Sequence, residues 1–275
     1  MIVVIGATGN VGRPLVRALA AAGEQVTAVS RQVSAADVPA GVRPIPADLA
    51  EPAGLKVALD GAAALFLLLP GDLLAGGADP SGILDAARTA GVRRVVFLSS
   101  QGVATGRHPA QLEQVVAASG LDWTVLRPGG FHSNALQWAE TVRQQRLVGA
   151  PFGDVALPTV DPDDIAEVAA VALRDPGHAG RTYELTGPEP ISPRQQAAAI
   201  GQALGEPVRF VEQSAAQARA RLLRVMPEPV VEATLDILGA PSPAEQRVSP
   251  DVARVLGRPP RAFADWARRT VDAFC

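Results

Sequence analysis

Residues 6–12 read Gly6-Ala7-Thr8-Gly9-Asn10-Val11-Gly12, directly after the apolar run Ile2–Ile5 and at the start of an Ala/Leu-rich stretch of helical length, Val11–Ala22. A strand that turns through three glycines into a helix constrains the fold more than any other feature of the chain. Glycines there permit a tight turn and let backbone N–H groups approach a pyrophosphate, which also meets the positive end of the helix. Without a ligand the same pattern is a turn that packs helix on strand. The spacing is Gly-x-x-Gly-x-x-Gly, not Gly-x-Gly-x-x-Gly. Gly6, Thr8, Gly9, Asn10, Val11 and Gly12 are therefore candidate cofactor-binding residues.

The pattern that follows fits such a start. Apolar runs at Gln25–Val29, Arg43–Pro46, Ala64–Leu69, Arg94–Ser99 and Trp123–Leu126 alternate with helical stretches at Pro52–Leu59, Pro80–Ala90 and Ala110–Ser119. Strands apolar throughout and separated by helices indicate an α/β fold, a Rossmann-type doubly wound parallel sheet with helices on both faces. Gly23, Gly91 and Gly120 follow helical stretches, where they end helices. After Arg127-Pro128-Gly129 the regularity loosens. The sequence predicts a helix over Ser133–Arg146, a short strand near Thr159–Val160, and a helix opened by Asp161-Pro162-Asp163-Asp164. A strand at Thr182–Leu185, a helix over Pro193–Leu204 closed by Gly205, and a helical region from Ser214 to Ala240 broken by Pro227 and Pro229 follow. The expected organisation is a nucleotide-binding domain over 1–150, with a strand and helix near 155–175 returning to it. Residues 176–275 form most of a small α+β C-terminal substrate-binding portion.

Composition excludes several chemistries. The 275 residues carry a formal net charge of −3 and are 48% hydrophobic, enough for a full core. Cys275 is the sole cysteine, so no intrachain disulfide or cysteine metal cluster forms, and no metal is expected. Tyr183 is the sole tyrosine and Lys56 the sole lysine. A sequence pI near 5.7 argues against direct nucleic-acid binding. No run of about 18 apolar residues exists to span a membrane. Residues 1–6 carry neither the basic region nor the cleavage site of a signal peptide, so a cytoplasmic protein, monomer or homodimer, is expected.

The end of strand two discriminates between dinucleotides. An acidic residue there binds ribose hydroxyls, and an arginine accommodates a 2′-phosphate. This strand ends Val29-Ser30-Arg31 with no carboxylate, which predicts NADPH over NADH, Ser30 and Arg31 donating to the phosphate. Asp48 and Leu49, after strand three, are placed to contact the adenine. Leu69 and Pro70, in Leu68-Leu69-Pro70-Gly71, are placed beneath the adenosine ribose.

Further segments are more specific. Phe97-Leu98-Ser99-Ser100 ends strand five. Ser119 to Gly129 runs through strand six and Arg127-Pro128-Gly129, followed by Phe131 and Asn134. Val160–Ala166 and Gly257-Arg258-Pro259-Pro260-Arg261-Ala262-Phe263 with Trp266 complete the pattern. Together these resemble the NmrA-like group of atypical short-chain dehydrogenase/reductases over nearly the whole chain. That superfamily usually reduces carbonyls with a Ser, a Tyr and a Lys four residues after the Tyr. Tyr183 and Lys56 cannot supply that pair, and the corresponding helix reads His108-Pro109-Ala110-Gln111-Leu112-Glu113. The resemblance implies either an NADPH-dependent reductase of quinones, dyes and aromatic ketones or a dinucleotide-sensing regulator without turnover.

Hydride transfer chiefly requires the acceptor to be held near the nicotinamide, and a tyrosine acid contributes about 10²–10⁴ in rate. A quinone, or an aromatic polyketide-like ketone, needs less such help because its reduced form spreads charge over a ring. The expected function is hydride transfer from NADPH to such an acceptor. Ser99, Ser100 and His132 are the catalytic candidates, His132 being either a proton donor or a partly exposed loop histidine. Ser99, Gly130 and Phe131 are expected to border the cofactor. Gln101, Phe131, Asn134, Trp138, Phe152 and Met226 are the substrate-wall candidates, although Met and Leu at helical spacing are more often core than a ligand box. His108 reads as a surface residue.

Overall fold

The computed structural model describes residues 1–49, 51–70, 77 and 79–275; Gly71 lies outside them. The strands are β1 (Ile2–Ile5), β2 (Val26–Ser30), β3 (Arg43–Pro46), β4 (Ala64–Leu67), β5 (Arg94–Leu98), β6 (Asp122–Pro128), β7 (Leu147–Ala150), β8 (Arg181–Leu185) and β9 (Arg209–Glu212). Between β1 and β6 run helices α1 (Gly12–Ala21), α2 (Lys56–Leu59), α3 (Ser81–Thr89), α4 (Gln101–Ala104) and α5 (Gln111–Ala117). Later come α6 (Ala139–Gln145), α7 (Pro162–Arg174), α8 (Pro193–Leu204), α9 (Ala215–Leu222), α10 (Glu228–Gly239), α11 (Asp251–Leu256) and α12 (Phe263–Arg269). Among the described residues no helix is long and apolar enough to cross a membrane.

The chain packs as two compact units. The first comprises 1–128, 162–184 and 251–257. Its sheet has the order β3-β2-β1-β4-β5-β6-β8. Pairing is parallel from β3 through β6, as in Ile2 opposite Val26 on one side and Ala64 on the other. Every residue of β1 and β4 is buried, because helices cover both faces of a parallel sheet. Helix α1 buries Gly12, Leu15, Val16 and Leu19, an i, i+3, i+4, i+7 stripe. The order reverses beside β1, which puts the crevice for ligands outside the carboxyl ends of β1 and its neighbours.

The lone tyrosine pins the sheet edge. His178 Nδ1 lies 2.8 Å from the Tyr183 hydroxyl, and the His178 carbonyl accepts from Thr124 Oγ1 at 2.8 Å. Burial pushes the His178 imidazole below its ordinary value of 6.5, against the opposing pull of Asp175. The folded state therefore resists protonation, and the unfolded chain takes up the proton first. His178 costs no stability above its unfolded value, and stability falls as pH drops below about 6.5 toward the lowered folded value. Thermal melts at about pH 7.5 and 5.5 should show this loss, and His178→Gln, which does not titrate, should show less of it. An equal loss in both proteins would remove His178 as the cause.

The second unit comprises 129–161, 185–250 and 258–275. Trp138, Val142, Val148, Ile200, Phe263 and Trp266 form its main core. Here the structure departs from several expectations. The stretch 133–146 divides into a 3₁₀ turn, His132–Trp138, and α6, and Arg146 closes it at φ 50°. Thr159–Val160 makes only an isolated bridge, Phe131 to Val160. Pro227 caps α10 and Pro229 lies in its first turn, so these prolines start a helix rather than kink one. Strands β7 and β9 pair in parallel and were missed, since Leu-Val-Gly-Ala and Arg-Phe-Val-Glu are too short to carry a period. Asp161 is 1% exposed and accepts from Arg269 Nη2 at 2.7 Å, which ties α12 to the unit.

Candidate functional site: the carboxyl edge of the parallel sheet

Backbone bonds shape the turn of the glycine loop. Gly6 and Ala7 N–H both donate to the Val29 carbonyl, at 3.0 and 3.1 Å, and Gly9 N–H returns to the Gly6 carbonyl at 3.0 Å. Gly6 has φ +76°, a left-handed backbone open to glycine. Gly12 lies so close that a Cβ on it would stand 2.0 Å from the Gly6 oxygen. Helix α1 thus begins against the loop. It has no side-chain cap and no acidic residue in its first turn. By contrast α8 is closed by a capping box from Ser192 and Gln195. An uncapped positive helix end beneath exposed Gly9 and Asn10 fits a dinucleotide pyrophosphate.

Beside the loop, Thr8 Oγ1 and Ser30 Oγ are 2.9 Å apart. Arg31 is exposed at the end of β2, and Arg13 Nη2 reaches the Thr8 carbonyl at 3.5 Å. A cavity of about 290 Å³ opens here, lined among others by Arg13, Arg17 and Asp37. Ser34 binds the Asp37 carboxylate through both its hydroxyl and its N–H, which lowers the Asp37 pKa and commits that charge to a capping box. The two arginines leave the cavity positive. Sequence reasoning passed over Arg13 and Arg17, although both follow the third glycine at helical spacing. Asp48 is exposed and Leu49 and Pro70 are half-buried. Leu69 is 6% exposed in the sheet core, and it is Leu68 whose side chain covers Gly6.

The carboxyl end of β5 carries two serines with different partners. Ser99 Oγ donates to Glu113 Oε1 at 2.5 Å. Glu113 also accepts Arg127 Nε at 2.9 Å and Nη2 at 2.5 Å, a bidentate pair largely out of water. That hydrogen bond, more than the Coulomb attraction, raises the Arg127 pKa further. Ser100 caps α4 by accepting from Gly102 N–H at 3.0 Å, and its oxygen lies 3.1 Å from His108 Nδ1. Gln101 is 8% exposed and its Nε2 has no hydrogen-bond partner among the described residues.

The remaining candidates lie in the second unit. His132 is 1% exposed, with Nδ1 2.9 Å from Thr159 Oγ1 and Nε2 3.4 Å from the Arg261 carbonyl. Phe263 and Trp266 pack edge-on against it. It is a core histidine, not a half-exposed loop residue. Trp138 is 5% exposed in the same core. Phe152, at φ 55°, packs with Ala218, Leu222, Val231 and Leu235 under α9 and α10. Gly130 and Asn134 are exposed, Phe131 is half-buried, and Met226 is 37% exposed.

Residues 6–176 match a family described as NAD(P)H-binding. The chain is 38% identical to a (4-alkanoyl-5-oxo-2,5-dihydrofuran-3-yl)methyl phosphate reductase of Streptomyces griseus, over 100% of this chain and 99% of that one. It is 35% identical to an NAD(P)H azoreductase of Xenophilus azovorans, again over 100% and 99%. An NADPH-dependent quinone oxidoreductase from Escherichia coli, solved with NADPH, superposes with a TM-score of 0.80 at 26% identity, over 98% of this chain and 99% of that one. The chain belongs to the NAD(P)H-binding family.

Proposed function

We propose that this NAD(P)H-dependent oxidoreductase uses NADPH in preference to NADH to reduce a small, electron-poor conjugated acceptor such as a quinone or an aryl ketone. The observation that carries this reading is the partnering of the lone tyrosine. Tyr183 is held by His178 at the sheet edge and Lys56 lies in α2, while the carboxyl end of β5 carries Ser99, Ser100 and Gln101. Without a Tyr–Lys pair, the acceptor that reacts most readily is one whose reduced anion is already delocalised. The names of the relatives agree in kind, since azo, quinone and acyl-dihydrofuranone groups are all electron-poor and conjugated. Bound NADPH would supply the hydride. The loop over Gly6–Gly12 would hold its pyrophosphate, and Ser30, Arg31 and Arg13 its 2′-phosphate.

Loss of NADPH absorbance on adding small quinones and aryl ketones tests the activity, with NADH run beside it. Arg31→Ala should raise KM for NADPH about tenfold or more and leave that for NADH nearly unchanged, as expected for one charge-assisted hydrogen bond. Equal use of both nucleotides by the wild type would remove the phosphate assignment. No turnover with any acceptor would remove the reductase.

A further inference from the structure

We infer that Ser100, His108 and Gln101 form the proton-delivery and anion-holding group of this site, standing where a tyrosine would otherwise act. The inference rests on the reductase reading and names its chemistry. Ser100 sits one residue past the Ser99 that follows β5, two strands from the glycine loop on the same edge of the sheet. A serine hydroxyl has two acceptor lone pairs and one donor proton. The Gly102 N–H takes one lone pair at 3.0 Å; His108 Nδ1 lies 3.1 Å away, and in this proposal that ring's proton sits on Nδ1, where it takes the other. The hydroxyl proton is then the one element of Ser100 directed to a ligand. Ser99 differs, since its proton goes to Glu113 at 2.5 Å.

His108 is placed by design of the backbone. Its N–H donates to the Gly102 carbonyl at 2.9 Å, and its imidazole occupies the space a Cβ on Gly102 would take, 2.5 Å from Nδ1. The ring is exposed to solvent. Next to it, Gln101 is more than nine-tenths buried with its Nε2 unpartnered among the described residues. A buried amide donor without an acceptor is costly and calls for one. An oxyanion on the acceptor answers that need.

The step balances as acceptor plus NADPH plus one proton giving the reduced acceptor plus NADP⁺. As the acceptor's oxygen becomes an anion, Gln101 Nε2–H donates to it and the Ser100 O–H proton passes to it. The His108 Nδ1 proton passes to Ser100, and the imidazole recovers a proton from water through its exposed edge. Ser100 and Gln101 touch the substrate, and His108 acts through Ser100.

Two measurements test this. In the first, 4-nitrophenol is titrated into the protein saturated with NADP⁺, and the phenolate absorbance reports the bound anion without turnover. Gln101→Leu should weaken phenolate binding about tenfold, the effect of one lost hydrogen bond to an anion. In the second, His108→Ala should lower kcat on an aryl ketone by about 10²-fold with KM unchanged, and added imidazole should restore part of it. His108→Gln keeps a polar side chain there but cannot relay a proton, so its kcat should stay low. Unchanged kcat in both His108 variants, or full activity in His108→Gln, would overturn the proton path. Unchanged phenolate binding in Gln101→Leu would overturn the anion site. A wild type that binds phenolate but reduces nothing would instead overturn the reductase reading.

Discussion

Gly12→Ala is expected to abolish measurable NADPH binding and to destabilise the first unit. The added methyl would stand 2.0 Å from the Gly6 oxygen, 2.7 Å from the Gly6 carbonyl carbon and 2.8 Å from Ala7 Cα. All three atoms are backbone, so no rotamer change relieves the clash. Either α1 backs away from the loop or the loop unfolds from the Val29 carbonyl. Overpacking of this kind costs about 1–3 kcal/mol, and the displaced helix end no longer faces the pyrophosphate, so affinity should fall at least about 100-fold. Gly23→Ala is the control. Gly23 has φ +79° with nothing within 4 Å of its would-be Cβ, so alanine there carries only the left-handed strain of about 1–2 kcal/mol. Calorimetric titration with NADPH separates the two: Gly23→Ala should bind as the wild type does after losing stability. Wild-type affinity in Gly12→Ala would show that the loop tolerates a helix displaced by a methyl group.

Glu113→Ala should be the most destabilising single change at the carboxyl edge. It leaves the Arg127 guanidinium, whose side chain is 23% exposed, without its bidentate partner, and Ser99 without its acceptor. Removing one member of a buried ion pair costs about 3–5 kcal/mol. The residual exposure of Arg127 places the expected loss near the lower end, about 3 kcal/mol. In a chain of this size the melting temperature should fall by about 6–12 °C. Glu113→Gln keeps an acceptor for Ser99 and for one Arg127 donor, so it should lose roughly half as much. The double change Glu113→Leu with Arg127→Met should recover most of the stability, because desolvated charge is replaced by packed apolar volume. A Glu113→Ala melt within about 2 °C of wild type would mean that water solvates Arg127 better than its burial indicates.

Much of the first unit was legible in the residues because each local signal agreed with the global arrangement. β1 and β3 lie where the sequence places them, and α1 begins at the third glycine. The parallel sheet follows from strands apolar throughout. The second unit was less legible. Its 3₁₀ turn over His132–Trp138 and its β7–β9 pair depend on contacts far apart in sequence, such as Leu147 with Arg209. Pro227 and Pro229 read as breaks, yet a proline before or within the first helical turn removes no intrahelical hydrogen bond.

The site divides in the same way. Glycine spacing, the missing carboxylate after β2, and the absence of a second tyrosine or lysine are properties of a list of residues; they point to a dinucleotide loop and fix the lack of a Tyr–Lys pair. Partnership is a property of space. His132 carries the same imidazole as His108, and only packing decided that one is walled in by Phe263 and Trp266 while the other lies open against Ser100. Ser99 and Ser100 are adjacent in sequence, but successive side chains leave a strand end in different directions. One hydroxyl is thereby committed to Glu113, while the other lies between the Gly102 N–H and His108 Nδ1.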